Sequence, residues 1–317
     1  MKKILLHGCS GKGTTNFGDF LFSDIVYKYI KDKYTSYEIM FWDLSDFFRS
    51  RIKDSKTTSF FDIFKINALI YLPGGYFSEK SHLSSFRRQL WRIKRYLVVG
   101  LIAAIMNKKI AIIGVGAGPL HGRLIKKIVK FIFNRAELVT VRDEESREFL
   151  ESIGVKKNIH VTADLLMSFD LCRIKQLDRS EKNSIKNEQE GQKVLLVHYN
   201  NDHEAMKKYA DAVKQFIGTK NEYRVVVASD SIVKNENDLY NEFKRLIENE
   251  QIYLYKYNDP WELCGLINFS DCILTSKLHV GIVALRLGKS VISIPIHPQK
   301  TQRLYNQINE GERCLAL

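Results

Sequence analysis

Short apolar runs separated by polar, glycine-rich turns recur along the whole chain, with room for one amphipathic helix in most of the gaps. In the first half the strand candidates are Ile4–Gly8, Tyr37–Trp42, Ala68–Leu72, Ile110–Ile113, Leu138–Val141 and Val161–Asp164. Most are continuously apolar rather than alternating, as parallel strands buried on both faces require. Helical stretches lie between them at about 20–29, 84–107, 122–133 and 144–152, and Gly154 serves as a C-cap for the last. The second half repeats the scheme, with strands at Val194–Val197, Arg224–Val227, Ile252–Leu254, Cys272–Leu274 and Val291–Pro295. Its helices fall at about 204–217, 237–249, 260–268 and 280–285. This βα alternation predicts an α/β protein of doubly wound, mainly parallel sheets. Residues 43–65 are mixed and aromatic and show no clear period.

Residues 173–192 are charged, poor in apolar side chains and aperiodic, which predicts a linker. The expected domains are then residues 1–172 and 193–300, each Rossmann-like, with a tail at 301–317 that packs back on the first. Residues Met1 to Leu6 have the basic start of a signal peptide, but the apolar run ends at His7-Gly8 and reads as a first strand. A length of 317 residues leaves room for two domains, and 45% hydrophobic residues suits real cores. The net charge of +13 favours anionic partners. Zinc-finger, RNP-like and helix-turn-helix signatures do not stand out, so nucleic acid ranks low. Five scattered cysteines without a CxxC pair suit reduced thiols and a cytoplasmic location.

The chemistry concentrates in Thr275-Ser276-Lys277-Leu278-His279-Val280-Gly281, between a buried strand and a helix. In open α/β sheets ligands bind where strands end and helices begin. Here that turn carries two hydroxyls, an ammonium and an imidazole. A helix N-terminus attracts anions, lysine adds a point charge suited to phosphate, and histidine exchanges protons near neutral pH. The competing reading is a Ser276 cap, a solvated Lys277 and a packed His279. Asn16 and Asp19 precede a helix and fit either N-capping or hydrogen bonds to a polyhydroxyl acceptor. Arg142 at a strand end fits either a local ion pair or a forked donor for carboxylate or phosphate. Gly8–Gly13 and Gly114–Gly118 match neither a dinucleotide fingerprint nor a P-loop.

Asn16-Phe17-Gly18-Asp19, Leu72-Pro73-Gly74-Gly75, Gly114-Val115-Gly116, Arg142-Asp143, Thr162-Ala163-Asp164, Ser276-Lys277-Leu278-His279, Pro298 and Lys300 follow one another in this order. Taken in that order they resemble the polysaccharide pyruvyl transferase family over nearly the whole chain. The resemblance implies a GT-B-like architecture of two Rossmann-like domains facing across a cleft. It implies transfer of the enolpyruvyl unit of phosphoenolpyruvate to a saccharide, free or lipid-linked, with no cofactor and no metal. It makes His279 the general acid, and places Lys277, Arg142, Ser276 and Leu278 on the donor. Asn16, Asp19, Gly74 and Gly75 fall on the acceptor side, and His297, Lys300 and Gly116 are further candidates. Lys277 stands where the family commonly has arginine, Tyr76 where a third glycine is common, and Leu165 where proline often follows the aspartate.

Two other readings compete with pyruvyl transfer: a glycosyltransferase using a nucleotide sugar, and a non-catalytic saccharide-binding member of the family. The helix at Phe86–Met106 stands apart from the resemblance. Its first half is basic, with Trp91 and Tyr96 interleaved, and its second half is apolar. That pattern fits a core helix with a solvated front end, or a peripheral contact with an anionic membrane at the inner face.

Overall fold

The computed structural model describes residues 2–79, 86–186, 191–199, 203–229, 236–247, 252–295 and 298–315. The chain divides into two compact units: Met1–Thr15 with Asp19–Leu165, and Asn16–Gly18 with Leu166–Leu317.

The first unit opens with β1 (Lys2–His7), α1 (Phe17–Lys33), β2 (Tyr37–Phe41), the short α2 (Asp46–Arg49) and β3 (Lys56–Thr57). A 3₁₀ segment, Phe60–Lys65, leads to β4 (Ala68–Tyr71) and β5 (Gly74–Phe77). Next come α3 (Phe86–Arg92), a π-helical turn at Ile93–Leu97, and α4 (Val98–Ile105). β6 (Lys109–Ala117), α5 (Arg123–Arg135), β7 (Leu138–Val141), α6 (Glu144–Ser152) and β8 (His160–Val161) complete the unit. The strands form one eight-stranded sheet in the order β3-β2-β1-β4-β6-β7-β8, with β5 paired to β6. Every pairing is parallel, with Ile4 in register with Ile39 on one side and Ala68 on the other.

The second unit carries α7 (Arg179–Lys186), β9 (Lys193–Tyr199), α8 (His203–Thr219), β10 (Tyr223–Ser229), α9 (Glu236–Ile247) and β11 (Ile252–Leu254). It continues with α10 (Pro260–Phe269), β12 (Cys272–Thr275), α11 (Leu278–Arg286), β13 (Ser290–Ser293) and α12 (Pro298–Gln307). Its sheet runs β11-β10-β9-β12-β13, again all parallel. Both sheets therefore reverse strand order at one internal point, between β1 and β4 in the first and between β9 and β12 in the second.

Several boundaries differ from those expected. The units divide after Leu165, not at residue 172. The stretch expected to be a linker contains α7, whose Ile185 is fully buried and whose Glu181 carboxylate accepts from the Tyr255 hydroxyl at 3.2 Å. The tail, expected on the first domain, groups with the second unit. Tyr305 lies 2.6 Å from the Ser293 hydroxyl, and the Leu315 N–H donates to the Ser293 carbonyl, so it packs on its own sheet. His297 lies outside the described residues.

The long helix contains an unexpected π turn. Such a turn loosens the regular hydrogen-bond ladder, and here the Tyr96 carbonyl accepts from the Tyr71 hydroxyl at 2.9 Å and from His7 Nε2 at 3.1 Å. A carbonyl only accepts, so His7 carries its proton on Nε2. Burial pushes the imidazole down to about 4, against the raising influence of the Tyr96 bond and Asp43, which keeps it neutral at neutral pH. Gly100 makes this bond possible: a Cβ there would lie 2.0 Å from the Tyr71 hydroxyl oxygen. In an ordinary helix interior Gly→Ala stabilises by about 1 kcal/mol. Gly100→Ala is expected to destabilise by about 1–3 kcal/mol, as overpacking does, with recovery in a Gly100→Ala/Tyr71→Phe double variant. Urea unfolding checks both, and a gain in stability for Gly100→Ala alone would contradict the assignment.

Candidate active site

Ligand crevices in open α/β sheets lie at the carboxyl ends of strands where strand order reverses. In the second unit that point is the end of β9 and β12, and the chain leaves β12 through Ser276-Lys277-Leu278-His279. Thr275 and Ser276 are buried, while Lys277, Leu278 and His279 are half-buried. The Ser276 N–H donates to the His198 carbonyl at 3.1 Å, which continues the β9–β12 pairing beyond the strand end. The Thr275 hydroxyl accepts from the Lys277 N–H at 3.0 Å and fixes the turn.

Lys277 occupies the N-cap of α11 without making a side-chain cap. Ser, Thr, Asp or Asn at such a position supplies an oxygen to the first helical N–H groups, whereas lysine has no acceptor to offer. A cation at the cap and a helix N-terminus behind it together favour a bound anion over a self-satisfied cap.

His279 lies in the first turn of α11. Asn16, Phe17 and Gly18 group with this unit, and Gly18 packs directly against the imidazole. A Cβ on Gly18 would fall 1.8 Å from His279 Nδ1 and 2.3 Å from Cγ. Gly18, the second residue of α1, thus meets this histidine within the same compact unit. The rest of α11 is held from behind. Gly281 faces the Tyr305 hydroxyl, which a Cβ would meet at 2.2 Å, and that hydroxyl bonds Ser293 on β13.

His198 is a candidate that sequence reasoning passed over. It is fully buried on β9, in register with Thr275 on one side and Ala228 on the other. Its signal was a titratable side chain ending the run Val194–Val197, at the carboxyl end of a buried strand. Lys300 lies in α12, half-buried, in the same unit.

In the first unit the reversal point falls between Gly8 after β1 and Pro73-Gly74 after β4. The ring of Tyr76 covers both glycines: a Cβ at Gly8 or at Gly74 would lie 2.9 Å or less from its atoms. Tyr76 stacks on Tyr96 with centroids 5.1 Å apart, and its hydroxyl donates to the Leu72 carbonyl. Tyr76, at the position where the resemblance led to the expectation of a third glycine, thus occupies the space over both glycines with its own ring. Gly74 is buried under that ring, and Gly75 is half-exposed.

Arg142 leaves β7 at the same rim and is 5% exposed. Its guanidinium lies 3.7 Å from Asp143 and 3.7 Å from Asp164. Gly116 makes room for it, since a Cβ there would be 2.9 Å from Nε. Asp143 has a second duty as N-cap of α6, accepting from the Ser146 N–H at 2.8 Å, while the Ser146 hydroxyl accepts from the Ala117 N–H at 2.9 Å. The Arg142-Asp143 motif therefore locks α6 to the end of β6 and buries one cation between two carboxylates.

Two units, each on one mainly parallel sheet, make this a GT-B-type fold. It is similar to a putative UDP-N-acetylglucosamine 2-epimerase from Listeria monocytogenes, at 12% identity over 96% of this chain and 82% of that one, with a TM-score of 0.64. It is also similar to MnaA of S. aureus solved with UDP, at 14% identity over 98% and 87%, TM-score 0.62. Anabaena Alr3699/HepE solved with UDP gives 14% identity over 98% and 89%, TM-score 0.57. Among curated proteins none matches the chain. Residues 16–298 match the polysaccharide pyruvyl transferase family, and the chain belongs to that family. Its class is thereby that of polysaccharide-modifying transferases.

Proposed function

We propose that this protein transfers the enolpyruvyl unit of phosphoenolpyruvate to a saccharide, free or lipid-linked, and leaves a pyruvate ketal and inorganic phosphate. The reaction belongs to surface-polysaccharide assembly at the cytoplasmic side of the membrane. Besides the family match, the observation that carries this reading is the turn after β12. It sets a lysine, whose side chain makes no cap hydrogen bond, at a helix N-terminus and an imidazole one residue into that helix.

The donor is an anion whose enol carbon must take a proton. Protonation of that methylene carbon makes the adjacent carbon electrophilic, and one sugar hydroxyl adds to it with loss of its proton. Phosphate then departs, and a second hydroxyl adds in its place to close the ketal. His279 is assigned as the proton donor to the methylene carbon. Lys277 and the start of α11 hold the phosphate, with Ser276 and Leu278 framing the turn. Arg142 supplies a further donor contact in this reading, and Asn16 and Asp19 bind acceptor hydroxyls.

Lys277→Ala is expected to weaken phosphoenolpyruvate binding by about tenfold or more, as loss of a charge-assisted contact does, and to leave acceptor binding unchanged. Calorimetric titration with each ligand separates the two, and equal donor affinity in variant and parent would remove Lys277 from the donor site. A phosphate-release screen with phosphoenolpyruvate and a panel of saccharides tests the reaction itself.

A second reading is transfer from a nucleotide sugar. It is favoured by the fold neighbours solved with UDP. In that case nucleotide, not phosphate, is the product, and the same screen run with nucleotide sugars distinguishes them.

A further inference from the structure

The positive charge of this chain is not spread along it. Residues 80–136 contain thirteen Lys and Arg and no Asp or Glu, which accounts for the whole net charge of +13. That stretch includes α3, the π turn, α4, β6 and α5. In the fold α4 packs against both α5 and the 3₁₀ segment Phe60–Lys65. Lys108 Nζ donates to the Phe64 carbonyl at 3.2 Å and ties the end of α4 to that segment.

A helix laid on a sheet ordinarily turns polar residues outward. α4 has none to turn, since Val98–Ile105 is apolar throughout, and Ile105 stands 66% exposed at its end. The 3₁₀ segment adds Phe61 at 74% exposed, with Phe60 and Phe64 half-exposed beside it. The Phe60 ring lies 6.2 Å from Phe61 and 6.1 Å from Phe64, edge to face, so these rings pack on one another. α5 contributes an exposed Leu124.

On the same elements the exposed charges include Lys65 at the end of the 3₁₀ segment, Lys94 in the π turn, and Arg123, Lys127 and Lys130 on α5. The one acidic residue of the 3₁₀ segment, Asp62, is engaged with its own chain: it accepts from the Ser59 N–H at 3.0 Å and lies 3.7 Å from Lys3. Isolated exposed apolar residues need no explanation, but several of them on elements that pack together and carry an excess of basic residues do.

We propose that this face of the first unit docks on an anionic lipid bilayer. Aromatic and aliphatic side chains enter the headgroup boundary, and the lysines and arginines meet lipid phosphates. A second copy of the chain fits less well, because a symmetric contact would set these cations against their own counterparts. The contact is peripheral, since no described helix is long and apolar enough to cross a membrane. The sequence pattern put a membrane contact at the basic front half of the helix, around Arg87–Tyr96. The contact proposed here is centred instead on α4, the 3₁₀ segment and α5. The proposal stands apart from the donor chemistry.

The test is flotation of the full chain with vesicles of phosphatidylcholine alone and of phosphatidylcholine with phosphatidylglycerol, at low and high salt. Binding is expected to the anionic vesicles only, weakening as salt rises. A Phe61→Ser/Phe64→Ser/Ile105→Ser variant is expected to lose binding by about tenfold or more, with only a small change in unfolding temperature, because Phe61 and Ile105 are mostly exposed and Phe64 half-exposed. Lys127→Gln/Lys130→Gln should weaken binding mainly at low salt. No flotation of the parent with anionic vesicles overturns the proposal, as does undiminished flotation of the triple variant. A dimer in sedimentation velocity that the triple variant dissolves, without vesicle binding by the parent, would assign the face to a second copy instead. The assay contains no donor, so its failure leaves the transfer reaction untouched.

Discussion

Replacing His279 with alanine is expected to lower turnover by about 10²–10⁴-fold, the range over which a positioned general acid acts, without unfolding the protein. The side chain is half-buried at the start of α11, and the helix is anchored elsewhere, through Val280, Ile282 and Val283 in the core. Thermal unfolding of the variant should therefore match the parent. Gly18→Ala provides an independent check from the opposite side. Its Cβ would occupy the space of the imidazole, so it should reduce turnover by displacing His279 while leaving Lys277 and donor binding intact. Steady-state kinetics measures both. Near-parental turnover in His279→Ala would make this histidine a packing residue.

Arg142→Ala is expected to act first on stability. The guanidinium is buried with Asp143 and Asp164, each 3.7 Å away. Removing one partner of a buried ion pair leaves charge uncompensated and costs about 3–5 kcal/mol. The loss should be smaller in an Arg142→Ala/Asp164→Asn double variant, because that change removes one of the stranded carboxylates. Asp143 is a poorer second site, since it also caps α6. Urea unfolding gives the numbers. A variant as stable as the parent but with weakened donor binding would show Arg142 to be a ligand contact that carries no structural load.

The parallel sheets were readable because Ile4–Leu6, Ile110–Ile113 and Val194–Val197 are continuous apolar runs, which only two-sided burial demands. Other parts left no periodic trace. β5 begins with Gly74-Gly75, a pair that reads as a turn, and it pairs with β6 all the same. α7 hides in a charged stretch because Ile185 is the only residue of the helix that is buried. The π turn shifts the phase of a long helix by one residue, and its consequence, the Tyr96 carbonyl shared by His7 and Tyr71, is purely tertiary.

The candidate site divides in the same way. Ser276-Lys277-Leu278-His279 stood out in the sequence as a polar turn between a buried strand and a helix, which fitted a ligand site or a plain capped turn equally well. Its position at the strand-order reversal needed the topology. The two carboxylates on Arg142 come from its chain neighbour and from Asp164, far along the chain, so only the first was foreseeable. Tyr76 was visible as a departure from the family pattern, but its role as the cover of Gly8 and Gly74 was not.

The most direct measurement supplies phosphoenolpyruvate labelled with carbon-13 at its enol carbons, with saccharide acceptors, in heavy water, and follows both carbons by nuclear magnetic resonance. The expected product carries the label in a ketal carbon of the saccharide and in a methyl group bearing one deuterium. One phosphate should be released per ketal, and His279→Ala should form the product far more slowly. Phosphate released with the label in free pyruvate, or an untouched donor alongside nucleotide release from a nucleotide sugar, would contradict pyruvyl transfer by this chain.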